Sequence, residues 1–294
     1  MKLDIQGHSG CDIAIVTEDN ELHIHKSTYD PGYVHRLVNQ ANKQIAAART
    51  EYQHIRVPKI FEVTQSDTEA TIKMEYVYSK NYVEYFECAG FEQINYLIGA
   101  LKYFLDLEIA SSTMQTVPSS ILTDKMADVA NKCAKNAHLK DDAEAQELVR
   151  RSTEVMNAVG DMTMPVGLCH GDLTFSNILF NGNNYYLIDF LDSFIESPLL
   201  DIVKIRQDTA YLWSTLMYNK PFDKVRLAII SEKIDQAIDE YFTGRHEWYR
   251  KYYMPLQLMN FLRILQYGHD DKVIAYLKRV IAGQLAEIQT SKQS

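Results

Sequence analysis

What the 294-residue chain has little of narrows its reading first. It holds four cysteines, Cys11, Cys88, Cys133 and Cys169, scattered along the sequence with no C-x-x-C pair. That spacing suits neither a zinc site nor a disulfide framework, so buried free thiols are expected. Long apolar runs are missing as well. Nothing approaches the roughly 20 residues that span a bilayer, so no membrane insertion is expected. The opening "MKLDIQGHSGCD" lacks the apolar core of a secretory signal, and a cytoplasmic protein is the expectation. Positive charge is in deficit: 30 Lys and Arg stand against 39 Asp and Glu, a formal net charge of −9. Nonspecific nucleic-acid binding needs clustered Lys and Arg, so no nucleic-acid partner is expected. A cationic substrate is compatible with this charge. Internal repeats and low-complexity stretches are absent, and nothing in the sequence speaks to oligomeric state.

What is present is the composition of an ordinary soluble globular protein, 46% hydrophobic and 23% charged. The first 80 residues read as β-rich. "CDIAIVTEDNELHIHKST" gives two strands around a turn at Glu18-Asp19-Asn20, and "VPKIFEVTQSDTEATIKMEYV" gives two more, turning at Ser66-Asp67. Between them, Val34, Leu37, Val38, Ala41 and Ile45 recur at helical spacing behind Pro31-Gly32. Beyond Tyr78 helices dominate. Ile94, Leu97, Ile98, Leu101, Phe104 and Leu105 mark one, "AEAQELVRRSTEVMNAVG" another, and residues 198–218, 222–243 and 254–289 continue the pattern. The exception is 166–193, where short apolar runs suggest loops and short strands. The fold class is therefore α+β: a small antiparallel sheet with one helix, then a larger, mainly helical part.

The non-helical exception carries the chemistry. "CHGDLTFSNILFNGNNYYLIDF" (169–190) places Asp172 and Asn177 five residues apart, and Asp189 twelve further on, across the turn Asn181-Gly182-Asn183-Asn184. A hairpin there brings Asp189 back beside Asn177. An amide oxygen and a carboxylate side by side make a hard oxygen site of the kind Mg²⁺ uses, with phosphates and water completing its shell. Asp172, nearby, can accept a proton from a substrate hydroxyl. Single Asx residues in loops usually cap turns. The whole pattern, H-G-D-x4-N followed by a hairpin and an apolar strand ending in Asp, is far more restrictive.

This constellation resembles the catalytic core of the aminoglycoside phosphotransferase and choline kinase family, small-molecule relatives of the protein kinases. The resemblance implies a bilobal protein-kinase-like fold, with a nucleotide-binding lobe over 1–78 and a helical catalytic and substrate lobe over 79–294. It implies ATP as cofactor, with GTP possible, and Mg²⁺. Asp172 becomes the catalytic base, His170 the brace of its loop, and Asn177 and Asp189 the metal ligands. Lys26, at the end of "LHIHKST", becomes the strand lysine that contacts the phosphates. Gly7, Ser9 and Gly10 of "QGHSGCD" become the phosphate-covering loop, without a full G-x-G-x-x-G pattern. Glu75 and Val77 of "IKMEYVYS" become the hinge that hydrogen-bonds the adenine. The helix "YVHRLVNQANKQIAAA" lacks the acid that normally pairs with the lysine; Gln40, Gln44 or Glu51 is left to replace it. Asp201, behind the helix start Ser197-Pro198, takes the place of an Asp that steadies the catalytic loop.

The implied reaction is transfer of the ATP γ-phosphate to a small-molecule hydroxyl: an amino alcohol such as choline, a sugar for a surface polysaccharide or, ranked below these, an aminoglycoside. Tyr211, Trp213, Trp248, Tyr249, Tyr252 and Tyr267 are candidates for the acceptor pocket, where aromatic faces suit a quaternary ammonium or a sugar. Asp192 reads equally as a second-metal or substrate contact and as a cap. Arg263, inside "NFLRILQYG", reads as a substrate contact or a structural salt bridge. Two rivals stand beside the kinase: a nucleotide-binding regulatory pseudokinase, favoured by the missing helix acid, and a metal-dependent hydrolase using His170, Asp172 and Asp189.

Overall fold

The computed structural model describes residues 4–6 and 11–291. Along the chain run β1 (Asp4–Gln6), β2 (Asp12–Glu18), β3 (Glu21–Thr28), α1 (Pro31–Ala47), β4 (Ile55–Arg56), β5 (Ile60–Gln65), β6 (Ala70–Glu75), α2 (Tyr82–Cys88) and α3 (Phe91–Ser111). There follow β7 (Thr113–Val117), α4 (Ser119–Lys135), α5 (Ala143–Asn157), β8 (Met162–Val166), β9 (Ile178–Asn181) and β10 (Asn184–Leu187). The chain closes with α6 (Pro198–Thr209), α7 (Lys224–Thr243), α8 (Glu247–Leu265) and α9 (Asp271–Ser291). Contacts divide it into two compact units. One holds the chain up to Leu107, His170–Ser193 and Phe222–Ile230; the other holds Glu108–Cys169, Phe194–Pro221 and Ser231 onward.

The first unit is built on a five-stranded antiparallel sheet in the order β1-β2-β3-β6-β5. Asp19 and Asn20, with φ of 52° and 65°, form the two-residue turn between β2 and β3. Asx residues tolerate that left-handed region, and such a turn matches the twist of its strands. Asp30 caps α1, accepting a 2.9 Å bond from the Gly32 N–H, and Pro31 supplies a preset first helical residue. Leu37 and Ala41, four apart on α1, pack with Ala70, Ile72 and Met74 of β6. The α3 periodicity holds: Ile94, Leu97, Ile98, Leu101, Phe104 and Leu105 are all buried. A second, three-stranded sheet, β4-β10-β9, joins the β9–β10 hairpin to a parallel β4.

The second unit is helical around a short antiparallel pair, β7 and β8. Helix α8 is its centre. It packs on α4, α5, α6 and α9, and buries Leu256, Leu258, Met259, Phe261, Leu262 and Leu265. The pattern read over 254–289 is broken between α8 and α9 at Gly268, where a Cβ would stand 2.8 Å from Ile274 Cγ1. Among the elements not expected from the sequence are α2, α4, β4, β7 and β8. Of the four cysteines, Cys11, Cys133 and Cys169 are buried as expected but Cys88 is exposed at the end of α2. Among the described residues, no helix is long and apolar enough to cross a membrane.

Candidate active site

The site is assembled wholly within the first unit, by β3, α1, the 170–177 loop and the segment after β10. Lys26 lies on β3, its side chain 4% exposed, facing the helix rather than solvent. Its ammonium donates to Asp189 Oδ1 at 2.7 Å and to Gln40 Oε1 at 3.2 Å. Of the three replacements left open for the missing helix acid, α1 thus presents Gln40. The Gln40 amide nitrogen donates to the Tyr33 hydroxyl at 3.2 Å, which turns its oxygen toward the lysine. Gln44 is spent on the Pro58 carbonyl at 2.8 Å, and Glu51 is exposed.

Asp189 is brought here by the β9–β10 register. Leu187 faces Ile178, and the Ile188 N–H donates to the Asn177 carbonyl at 3.1 Å. The hairpin expected from the sequence therefore exists and sets Asp189 next to the Asn177 turn. Asp189 has φ of 61°, a conformation a non-glycine residue holds only when its surroundings over-determine it. Asn177 donates its amide to the Asp172 carbonyl at 2.8 Å and to Asp172 Oδ2 at 3.0 Å. Its remaining amide function is an oxygen acceptor, the type a hard cation needs. One carboxylate and one amide oxygen match the donor set of magnesium held jointly with phosphates. Among the described residues no three His, Cys, Asp or Glu side chains converge as metal ligands, so the hydrolase reading lacks its ligand set.

His170 is fully buried and braces the loop. Its Nδ1 accepts from the Asp172 N–H at 3.2 Å and its Nε2 contacts the Ile188 carbonyl at 2.9 Å. These partners fix the neutral tautomer with its proton on Nε2. Burial, only partly offset by the Asp172 charge, pushes the imidazole pKa down to about 4. His170 is thus a hydrogen-bonding strut and not a proton carrier near neutral pH. The next residue, Gly171, has φ of 86°, and a Cβ there would sit 1.9 Å from the Leu191 carbonyl oxygen. Only glycine fits between the two segments.

Beside this polar group opens a cavity of about 280 Å³. Ile13, Ile15, Ile24, Met74, Leu179 and Ile188 give it apolar walls, and Lys26 and Asp189 stand in it together. Glu75 and Val77 line it too, as expected of a hinge. The Glu75 N–H is already committed to the Lys59 carbonyl at 2.8 Å. Gly7, Ser9 and Gly10 lie outside the described residues.

Of the acceptor-pocket candidates, Tyr211 and Tyr249 line a cavity of about 520 Å³ in the second unit. Tyr249 and Tyr252 are core residues of the second unit: the Tyr249 hydroxyl is bonded to Asp239 and Arg206, each at 2.7 Å, and the Tyr252 hydroxyl accepts from the Thr163 N–H at 3.3 Å. Trp248 stacks on His246, Tyr211 meets Phe261 edge-on, and Trp213 lies near Tyr276. Tyr267 is exposed, and the Arg263 guanidinium lies 5.0 Å over the Phe194 ring. Asp192, in the first unit, accepts from Asn39 at 3.4 Å. Asp201 is fully buried in the first turn of α6. The residue that sequence reasoning missed is Lys43, a buried lysine on α1 bonded to the Leu191 carbonyl. Its only signal was a lysine on the apolar side of an amphipathic helix.

The model of the family described as "Phosphotransferase enzyme family" (APH) matches residues 114–230, less than half of the chain. Among curated proteins none matches. Solved structures align over nearly the whole length. A thermostable mutant of aminoglycoside phosphotransferase APH(4)-Ia is 10% identical, with a TM-score of 0.62, covering 98% of this chain and 94% of that one. The GDP and kanamycin complex of APH(2")-IIia is 14% identical, with a TM-score of 0.65 and coverage of 98% and 93%. Aminoglycoside-3'-phosphotransferase of type VIII is 14% identical, with a TM-score of 0.54 and coverage of 97% and 93%. The resemblance read from residues 169–190 is borne out, and so is the protein-kinase-like α+β fold with its antiparallel-sheet N-terminal region and mainly helical C-terminal region.

Proposed function

We propose that the protein is a small-molecule kinase that moves the γ-phosphate of ATP, or of GTP, to a hydroxyl group. The observation that carries this reading is the 2.7 Å Lys26–Asp189 pair in an apolar-walled cavity, next to the bonded pair Asn177–Asp172. Two structural relatives support nucleotide use by their bound ligands, GDP with kanamycin in one and AMP-PNP with hygromycin B in the other. In this reading residues 1–78 serve the nucleotide and 79–294 serve catalysis and the acceptor. The base sits in the cavity near Glu75 and Val77. With its N–H committed, Glu75 offers only its carbonyl to a base amine. Lys26 meets the phosphates, and Gly7, Ser9 and Gly10 cover them. Asn177 and Asp189 would hold magnesium, which when bound neutralises charge on the transferring phosphoryl group. Asp172, held by the Asn177 amide, orients the acceptor hydroxyl and takes its proton. An amino alcohol such as choline, a sugar and an aminoglycoside are the acceptor classes to compare.

The regulatory pseudokinase is the second reading, and Gln40 in place of a helix acid favours it. Thermal-shift titration with ATP and GTP, with and without Mg²⁺, is the first test, followed by nucleotide consumption over a panel of amino alcohols, sugars and aminoglycosides. Mg-dependent stabilisation with turnover on one panel member supports the kinase. Stabilisation without turnover on any member favours the pseudokinase. No stabilisation by either nucleotide rejects both.

A further inference from the structure

Helix α1 carries no Asp or Glu, so an acid on it cannot tie the helix to the segment bearing Asp189. The helix makes that tie with three other side chains, the adjacent Asn39 and Gln40 and, one turn on, Lys43. Gln40 reaches Lys26, Asn39 reaches Asp192 Oδ2 at 3.4 Å, and Lys43 donates to the Leu191 carbonyl at 2.5 Å. Lys43 is the strongest of these. It is 8% exposed, and a buried ammonium is retained only where it is well bonded. A leucine or methionine would fill the same space without a donor for the Leu191 carbonyl. Leu191 is gripped from its other side as well, its N–H donating to the His170 carbonyl at 2.9 Å. Gly171 leaves room for both partners. A Cβ there would meet the Leu191 oxygen at 1.9 Å and Lys43 Nζ at 3.3 Å. Helix, catalytic loop and the 188–192 segment therefore converge at one point, two residues from Asp189 with its φ of 61°.

We propose that Lys43 is a positioning residue for the phosphoryl transfer read above: by holding the Leu191 carbonyl it fixes the backbone from which Asp189 presents its carboxylate. This rests on the kinase reading. Charge alone is not the point, since Lys26 already supplies an ammonium in the cavity. The bond acts through Leu191 on where Asp189 stands.

The test is calorimetric binding of AMP-PNP with and without Mg²⁺ to wild type, Lys43→Met and Lys43→Arg, after thermal melts have established that each is folded. Loss of a group that orients a metal ligand typically weakens metal binding about tenfold or more. Lys43→Met is expected to bind AMP-PNP alone as wild type does, and to lose about tenfold of the Mg²⁺-dependent gain. Lys43→Arg, which keeps a donor of similar reach, is expected to recover most of it. Should Lys43→Met be unfolded, the wild-type Lys43 ammonium is followed instead by ¹⁵N NMR. Its resonance is expected to shift more on adding Mg–AMP-PNP than on adding AMP-PNP alone. If wild type binds with Mg²⁺ and Lys43→Met keeps the full gain, or the wild-type resonance ignores the metal complex, the Lys43 role is overturned and the kinase reading stands. If wild type binds no AMP-PNP under either condition, both fall.

Discussion

Asp172 and His170 stand two residues apart and are expected to answer to different experiments. Asp172 is half-exposed and held by the Asn177 amide at 3.0 Å. Its replacement in Asp172→Asn leaves the Lys26–Asp189 end of the cavity intact. We expect Mg–AMP-PNP binding within a few-fold of wild type, and turnover lower by about 10²–10⁴-fold, the range of a lost general base. Calorimetry and a coupled nucleotide assay read the two effects separately. His170 matters through stability. Its pKa falls from 6.5 in the unfolded chain to about 4 when folded, because burial disfavours the imidazolium. The unfolded state therefore binds more protons between these values. The neutral buried histidine contributes its full share above pH 6.5, and that share is lost as pH falls toward 4, by about 3 kcal/mol over the window. In His170→Gln, which can keep the donor to the Ile188 carbonyl, the fall in melting temperature from pH 6.5 to pH 4 is expected to be shallower. Parallel slopes for the two proteins would contradict the assignment.

Elements are tied by a few polar contacts buried between them. In the second unit Arg206 of α6 makes a bidentate pair with Asp235 of α7, both bonds at 2.8 Å, and also meets Asp239 and the Tyr249 hydroxyl of α8. Burial opposes the guanidinium charge, and the Asp235 pair together with Tyr253 and Tyr249 more than offsets it, so Arg206 stays protonated. Removing Asp235 strips the bidentate partner from a buried guanidinium and leaves Asp239 and the Tyr249 hydroxyl on one nitrogen alone. Asp235→Ala is expected to lower stability by about 3 kcal/mol or more, seen as a shifted urea midpoint. The double variant Arg206→Met, Asp235→Leu should lose less, because both desolvated charges go together. The same scale explains what the sequence could and could not disclose. The β2–β3 hairpin, α1, α3 and the β9–β10 hairpin were legible because apolar alternation, helical spacing and turn residues are local signals. Helix α4 also had its signal, in Leu122, Met126, Val129 and Cys133, all fully buried. The short β7 and α2 carry too few residues for a period to emerge. At the site, Asp172, Asn177 and Asp189 were legible because they share one hairpin. Gln40 was one of three candidates the helix could not rank, and Lys43 was missed because the Lys43–Leu191 bond joins residues 148 apart. The aromatic residues chosen for the acceptor pocket were hard to rank for a related reason. A buried tyrosine such as Tyr249, bonded inside a core, has the same sequence appearance as one facing a ligand.

At the scale of the whole molecule, a nucleotide that binds only the folded chain stabilises it by mass action. At one hundred times the dissociation constant the gain is about 2.7 kcal/mol. The melting temperature is expected to keep rising with the logarithm of Mg–AMP-PNP concentration. A flat response above saturation would mean that the unfolded chain binds as well. The metal and the nucleotide should also depend on one another. Without ligand, Lys26 and Asp189 cancel each other across 2.7 Å. A phosphate arriving alone must draw the lysine from its carboxylate and then face that carboxylate as a second anion. A divalent cation arriving alone must take the carboxylate and then face the lysine. The metal–nucleotide complex brings both signs together, so the lysine keeps an anion beside it and the carboxylate keeps a cation. Each ion should therefore raise the affinity for the other by the same factor. The cavity behaves as an electrical lock that yields to a matched pair of charges and resists either one on its own.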